Sequence, residues 1–350
     1  MRKARQTGLW HLTGPAVGTV ALLALAAAGG PGCGDDESNP IQTTTTSTTT
    51  GEGGSGGSGG SSAGLTLEAC QNNGETFSSP FDATPDPDGQ TVYFTAISAT
   101  GEAGVFKAPC NGTITTLAAG DPFVAPFNIA TSTEGNEVYV ADAAAEDAND
   151  RKGAIFRIAS GGGAPAAIAG TEGTIPRGLE VRAEGGADEI WFTGVDPSDG
   201  LRGVFKIAPA GGALEVVAKG PPFRDPGGIA LTADGTAYVV DTDAADNRLS
   251  TLFEVKGDVP LALLSGLEVG FPAGVAVTSD NQSVIVSGID AVTQTDAVFF
   301  VSVATQDVVS FTTGISAFTE SAGLHRAKNA DVFAWADSSA QGSGTVYVLQ

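Results

Sequence analysis

The chain has 350 residues, of which 17 are Lys or Arg and 40 are Asp or Glu, so its formal net charge is −23 at pH 7. Three basic residues and no acidic ones lie within residues 1–32, which leaves −26 on the remainder. This net charge argues against nucleic acid and anionic lipid head groups as partners. The acidity permits cation binding, and it also suits the solubility of an exported protein.

The N-terminal residues have the pattern of an export signal. Arg2, Lys3 and Arg5 form a positive region, and residues 16–28 form an apolar run that is short for a membrane span. The small residues before Cys33 resemble those of bacterial lipoprotein signals, in which the cysteine is lipidated after cleavage. We therefore predict a signal peptide over 1–32 and lipidation of Cys33. Ordinary secretion, with cleavage near residues 26–28, is the alternative.

Residues 33–64 are predicted to be a disordered tether. They contain a Thr-rich run and Gly-Gly-Ser repeats, a composition that cannot bury a core. The predicted location is the bacterial cell envelope. By analogy with lipoprotein sorting, Gly34 after the cysteine favours the outer membrane.

A repeated segment defines the rest of the chain. Residues 226–241 indicate a strand, a turn and a second strand, because Asp234-Gly235 is typical of a hairpin turn and Tyr238 to Val240 form a β-prone run. Copies start at residues 80, 126, 176, 226 and 272, at intervals of 46, 50, 50 and 46 residues, and a weaker copy starts at 322. This period is typical of β-propeller blades.

Two further strands follow each copy, so each unit is predicted to be a four-stranded antiparallel blade. No helical apolar periodicity appears after the leader, and helices should be rare. The fold class is therefore all-β, a six-bladed β-propeller over residues 65–350. The sixth unit has only three strands, and we predict that residues 65–69 pair as its outermost strand, because an open ring would leave a sheet edge unpaired. The alternative is that residues 65–69 are a remnant of the linker.

Five oxygen-bearing residues recur at equivalent places in the units. Asp142, Asp241 and Asp337 end second strands, whereas Asp82 and Asn128 stand near the starts of first strands. Strand starts and strand ends meet at one end of an antiparallel hairpin, so we expect all five residues at one mouth of the channel. Such oxygens suit a hard cation such as Ca²⁺ or another divalent ion. The alternative is that the carboxylates accept hydrogen bonds from their own turns.

Cysteine and histidine are scarce. Cys70 would end the closing strand and Cys110 lies in an outer turn of the first blade, so an oxidising compartment favours a disulfide between them. His325 is the one histidine after the leader, and its strand should line the channel. Residues 65–350 contain no Gly-x-Ser-x-Gly elbow, so we read His325 as a packed or solvated channel residue and assign no catalytic residue.

Segments 126–142 and 226–241 resemble the repeats of NHL and gluconolactonase-like six-bladed propellers. The gluconolactonase branch implies a channel metal held by Glu, Asn and Asp. Its Glu-Gly-Pro-x-Trp motif corresponds here to Ser78-Ser-Pro-Phe-Asp82, which has neither Glu nor Trp. Asn128 and Asp241 match the other two ligands, and Asp82 would have to replace the first.

Two functions follow as hypotheses. The first is a surface-anchored, monomeric propeller that binds a protein, peptide or glycan of the envelope or the medium, and that meets the membrane only through its lipid. The NHL resemblance implies such a binding platform. The second is a metal-dependent, lactonase-type hydrolase with its metal in the channel.

Overall fold

The computed structural model describes residues 66–72, 76–244, 249–270, 273–290, 294–311 and 321–350. The predicted signal peptide, Cys33 and the tether lie outside the described residues. The described chain forms six four-stranded antiparallel sheets, which confirm the predicted six-bladed β-propeller. Within these ranges the one helical element is the 3₁₀-helix Ala340–Gly342. No helix of the described residues has the length and hydropathy needed to cross a membrane.

The described chain begins with a single strand that precedes blade 1. Blades 1 to 3 follow, and within each blade the chain runs from the innermost strand to the outermost one. The entering strand is β1 (Leu67–Asn72). Blade 1 contains β2 (Phe77–Pro85), β3 (Thr91–Ser98), β4 (Ala103–Pro109) and β5 (Thr115–Ala119). Blade 2 contains β6 (Pro126–Thr131), β7 (Glu137–Glu146), β8 (Lys152–Ala159) and β9 (Ala166–Ala167). Blade 3 contains β10 (Leu179–Glu184), β11 (Ala187–Val195), β12 (Arg202–Ile207) and β13 (Glu215–Lys219).

The remaining three blades follow the same path. Blade 4 contains β14 (Pro226–Leu231), β15 (Ala237–Asp241), β16 (Ser250–Lys256) and β17 (Val259–Leu267). Blade 5 contains β18 (Val275–Val277), β19 (Ser283–Asp290), β20 (Thr295–Ser302) and β21 (Val308–Phe311). Blade 6 contains β22 (Ser321–Arg326), β23 (Phe333–Asp337) and β24 (Thr345–Leu349). The innermost strands contact one another in chain order, and β22 returns to contact β2.

The ring closes as the sequence predicts. Strand β1 pairs antiparallel with β24, and Leu67 lies opposite Leu349, so blade 6 has the order β1-β24-β23-β22. Cys70 and Cys110 form a disulfide with their Cα atoms 4.5 Å apart. The N–H of Asn111 donates to the carbonyl of Cys70 at 2.8 Å. The closing strand is therefore joined to blade 1 as well as to blade 6.

The core consists of layers between blades. Each of six buried hydrophobic clusters of the described residues joins a pair of neighbouring blades. Strand β7 shows why: Val138 and Val140 pack toward blade 1, whereas Tyr139 and Ala141 pack toward blade 3. Alternate side chains of a strand point to opposite faces, so a strand covered on both faces must be apolar throughout.

Two outer strands differ in length from the prediction. Strand β9 has two residues where four were expected. The N–H of Ile168 still donates to the carbonyl of Ile155, but the N–H of Ile155 donates to the hydroxyl of Thr171, so the ladder does not continue. Strand β17 has nine residues where four were expected. Its hairpin turn is tight, with Gly257 at a φ of 61°, so pairing with β16 begins at Val259.

Candidate functional site

The channel wall is made from equivalent positions of the six innermost strands. At the first inward position, four blades carry glycine and two carry a polar side chain: Asp82, Asn128, Gly178, Gly228, Gly274 and Gly323. A Cβ atom at Gly228 would lie 2.3 Å from the carbonyl oxygen of Ala273 in the next blade. Neighbouring backbones thus approach too closely for a side chain there.

The two polar exceptions at this position accept hydrogen bonds from the next blade. The Oδ2 atom of Asp82 accepts from the N–H of Ile129 at 2.8 Å. The Oδ1 atom of Asn128 accepts from the N–H of Leu179 at 2.7 Å. Both side chains are buried, so these contacts satisfy backbone donors that have no water partner. Asn128 therefore links blade 2 to blade 3.

The second inward position, two residues further along each strand, is also small in most blades. Its occupants are Thr84, Ala130, Glu180, Ala230, Ala276 and His325. Glu180 and His325 project from blades 3 and 6, which face each other across the ring. They are the two ionisable side chains at this level of the channel.

Four ionisable side chains meet in the channel, and we call Asp82, His325, Glu180 and Lys328 the channel network. Nε2 of His325 lies 2.9 Å from Oδ2 of Asp82, and Nδ1 lies 3.6 Å from Oε2 of Glu180. The ammonium of Lys328 donates to Oε1 of Glu180 and, at 2.9 Å, to the carbonyl of Val181. The network therefore connects blade 6 with blades 1 and 3.

The protonation states of the channel network follow from burial and from mutual attraction. Burial disfavours the charged imidazole, but Asp82 and Glu180 raise the pKa of His325 to about 9. Burial also opposes ionisation of Glu180, yet Lys328 and His325 lower its pKa to about 2. Burial raises the pKa of Asp82 against the opposing effect of His325. With His325 protonated, two cations balance two carboxylates.

A cavity of about 250 Å³ lies at the mouth where the innermost strands end, and we call it the mouth cavity. Glu180 and Lys328 of the channel network line it, so the network forms its floor. Arg182 and Arg326 contribute the other two charged side chains of the lining. Its apolar wall consists of Val181, Ala183, Ala230, Leu231, Ala233, Ala276 and Val277.

Two of the predicted cation ligands lie at the opposite mouth, where the innermost strands begin. Asp142 is opposite Pro126, and Asp241 is opposite Pro226. Both carboxylates accept hydrogen bonds from backbone N–H groups of the adjoining turns. Asp142 accepts from Val124 at 2.7 Å, and also from Ala125, Ala144 and Ala145. Asp241 accepts from Arg224 at 2.7 Å, and also from Asp225 and Asp243.

The third strand-terminal aspartate has the same environment. Asp337 lies opposite Ser321, and its Oδ1 accepts from the N–H groups of Ser339 and Ala340 at 3.0 and 2.8 Å. Burial raises the pKa of both Asp337 and Asp241. These carboxylates serve as acceptors for their own turns, which is the alternative that the sequence left open.

The five residues predicted to surround one mouth differ in what their side chains contact. Asp142, Asp241 and Asp337 lie at strand ends, whereas Asp82 and Asn128 face inward and bond the next blade. Among the described residues, no group of three or more His, Cys, Asp or Glu side chains is placed to hold a metal ion. Most of the oxygens of this set accept from N–H donors or contact His325, and Oδ2 of Asp337 is buried with no hydrogen-bond partner among the described residues.

Sequence reasoning placed His325 in the channel but missed Glu180, Lys328 and the mouth cavity. Glu180 was visible as an exception in the repeat, because it replaces the small residue found there in most blades. Lys328 gave no such signal. It lies in the turn after β22, and only the tertiary structure brings its ammonium to blade 3.

Comparison with known proteins supports the fold class. No family model and no curated protein sequence matches the chain. Among solved structures, a gluconolactonase from Xanthomonas campestris, XC5397, matches with a TM-score of 0.55 and 18% identity, covering 79% of this chain and 87% of that one. A putative TolB from Agrobacterium tumefaciens matches with a TM-score of 0.52 and 14% identity, covering 78% and 89%.

A chain of a nidogen/laminin complex matches with a TM-score of 0.51 and 18% identity, covering 69% of this chain and 82% of that one. These neighbours thus include an enzyme and one chain of a protein–protein complex. At such identities the likeness concerns the fold alone. The class that fold and channel define is a six-bladed β-propeller.

Proposed function

We propose that this protein is an exported, monomeric binding module of the cell envelope, and that its mouth cavity receives part of a protein, peptide or glycan. The observation that carries the proposal is the cavity of about 250 Å³ above the channel network. Ligand pockets are concave and mostly apolar, with a few convergent polar groups. The mouth cavity is concave and combines an apolar wall with the converging charged side chains of Glu180, Arg182, Arg326 and Lys328.

Rigidity supports the same function. The floor of the cavity is fixed by ion pairs between blades 3 and 6, and a preformed site loses little conformational entropy on binding. The predicted lipid at Cys33 and the tether would hold the propeller at a membrane. A flexible chain of that length has a root-mean-square reach of roughly 30 Å, enough for the cavity to meet an envelope or extracellular partner.

Obstruction of the cavity tests this proposal. Ala233 is exposed and lines the cavity, so Ala233→Trp should block entry with little effect on folding. The matched control is Ala164→Trp, because Ala164 is an exposed residue that is not part of the lining. Peptide and glycan arrays would be probed with the full chain and both variants. We expect ligands that are lost with Ala233→Trp and kept with Ala164→Trp; ligands insensitive to Ala233→Trp, or none, would contradict the proposal.

The competing function is a metal-dependent hydrolase of the lactonase type. It has support from the resemblance and from a gluconolactonase among the structural neighbours, with Asp82, Asn128 and Asp241 as ligands. Each of these residues already accepts backbone hydrogen bonds, so a cation would share their oxygens with N–H donors. A divalent ion would also compete with His325 for Asp82.

A thermal melt with EDTA and then with Ca²⁺, Mg²⁺, Mn²⁺ or Zn²⁺ separates the two functions. A ligand at a hundred times its Kd stabilises by about 2.7 kcal/mol, and each kcal/mol raises Tm by roughly 2–4 °C for a chain of this size. If the protein is a binding module, none of these cations should raise its Tm specifically. An upward shift that disappears in Asp241→Ala would favour the hydrolase and would justify a lactone screen.

A further inference from the structure

The charges around the mouth cavity differ from those of the whole chain. The chain is strongly acidic, yet three of the four charged side chains that line the cavity are cations: Arg182, Arg326 and Lys328. The single acid, Glu180, is already paired with Lys328. A concave site lined by one sign of charge concentrates ligands of the opposite sign.

The hydrogen-bonding groups of the cavity also favour a negatively charged ligand, because donors are available in it. Arg326 donates to the carbonyl of Ala330 at 3.1 Å and lies 3.7 Å from Asp331, and its other N–H groups have no acceptor among the described residues. The Nε atom of Arg182 is buried without a hydrogen-bond partner in that part of the chain. A guanidinium has five donors and no acceptor. The terminal nitrogens of Arg182 already donate to the carbonyl of Ala233, to Glu184 and to Glu189, so Arg326 is the guanidinium with donors left for a ligand.

Acceptors in the cavity are largely occupied. Oε1 of Glu180 accepts from Lys328 and, at 2.8 Å, from the N–H of Val181. The hydroxyls of Thr133 and Thr232 donate to the carboxylates of Asp188 and Asp234. These acceptors are thus engaged, whereas Arg326 keeps N–H groups that have no acceptor among the described residues. A ligand that fits this balance supplies acceptor oxygens, and charge-assisted bonds from arginine to an oxyanion are the strong ones.

We propose that the mouth cavity binds an oxyanion, a carboxylate, phosphate or sulfate carried by a small organic ligand, with Arg326 and Lys328 as the principal donors. This inference rests on the proposed binding function and specifies its ligand. The cavity volume of about 250 Å³ is below the range of about 300–1,000 Å³ for small-molecule sites, so the group inserted is small. Arg326 is well suited to this role because its own ion pair is long and a ligand can replace it.

Calorimetric titration of the full chain tests the inference with matched acidic and neutral probes. The probes are succinate against succinamide, glucuronate against glucose, and inorganic phosphate and sulfate. The variant is Arg326→Gln. The control is Arg157→Gln, because Arg157 lies outside the cavity and has a similarly long contact of 3.9 Å to Glu137. Each of the two arginines forms a long ion pair at the surface. Loss of such a pair should change the free energy of unfolding little.

We expect at least one acidic probe to bind, to lose affinity tenfold or more in Arg326→Gln and to keep it in Arg157→Gln. Its affinity should fall as salt concentration rises. Three results would overturn the inference: equal binding of acidic and neutral probes, equal effects of the two variants, or no binding of any acidic probe. Binding of a neutral probe that Ala233→Trp abolishes would preserve the binding function while removing the oxyanion from it.

Discussion

His325 lies 2.9 Å from Asp82, although 243 positions separate them in the chain. His325 is on the innermost strand of blade 6 and Asp82 is on that of blade 1, so their contact crosses the seam at which the ring closes. The imidazole is 3% exposed and the carboxylate is fully buried. A buried pair of this kind contributes to specificity of closure only while both partners are present.

Replacement of His325 with leucine should therefore destabilise the protein strongly. It would leave Asp82 and Glu180 without their shared partner, and breaking a buried ion pair costs about 3–5 kcal/mol. Lys256→Met is the control, because Lys256 pairs with Glu254 at the surface, where such pairs contribute about 0–1 kcal/mol. Urea unfolding of the variants measures both values, and equal losses would contradict the assignment of the channel network.

The stability should also decline toward alkaline pH. An ordinary histidine has a pKa of about 6.5, whereas that of His325 is raised to about 9. The stabilisation is fully present below pH 6.5, where both folded and unfolded states hold the proton, and it is lost as the pH rises through about 9. Over this window the free energy of unfolding should fall by on the order of 3 kcal/mol.

Urea denaturation at intervals between pH 6 and 9.5 measures this decline. His325→Gln should make the profile flatter, because the variant has no proton to lose in that range. A flat wild-type profile would show that His325 is neutral in the channel.

Close approach at Gly323 gives a steric prediction. A Cβ atom there would lie 2.0 Å from Oδ1 of Asp82, so Gly323→Ala should displace the carboxylate from His325 and destabilise by about 1–3 kcal/mol. Gly161→Ala is the matched control, because a Cβ atom at Gly161 meets nothing within 4 Å. Thermal melts compare the two. Similar midpoints would mean that blades 6 and 1 are not as close as described.

The disulfide gives a prediction at the other side of the seam. Cys70 and Cys110 are separated by 40 positions, and loss of a loop-closing disulfide costs about 2–4 kcal/mol. We expect a lower Tm in the double variant Cys70→Ser, Cys110→Ser, and the same decrease in wild type under reductant. Reductant should have no effect on the double variant. A wild-type Tm that is insensitive to reductant would show that the bond is not formed or does not stabilise the ring.

The fold was predictable because blade repeats determine it locally. Pro126 and Pro226 begin equivalent strands, and the residues opposite them, Asp142 and Asp241, are equivalent as well. The pairing of such hairpins is determined by the alternation of apolar and polar residues along the strands and by the residue types in the turn. Both can be read from the sequence. Closure by β1 was also predictable, because a missing fourth strand in one unit matches a spare strand at the other end of the chain.

The site was less predictable because its contacts join distant blades. The equivalence of Asp82 and Asn128 was visible, but not that their oxygens would meet the N–H groups of Ile129 and Leu179. Glu180 could have been found from the sequence, because the equivalent position of most other blades carries a small residue. The place of Lys328 depends on a turn whose conformation no repeat specifies.

The most direct test of the account is the pKa of the His325 imidazole, measured by NMR titration of the full chain with labelled histidine side chains. His11 is the only other histidine, so His325→Gln assigns the two signals. We expect His325 to titrate near pH 9, with the imidazolium held between Asp82 and Glu180. A titration midpoint at or below about 6.5 would contradict the channel network and remove the floor of the proposed ligand site.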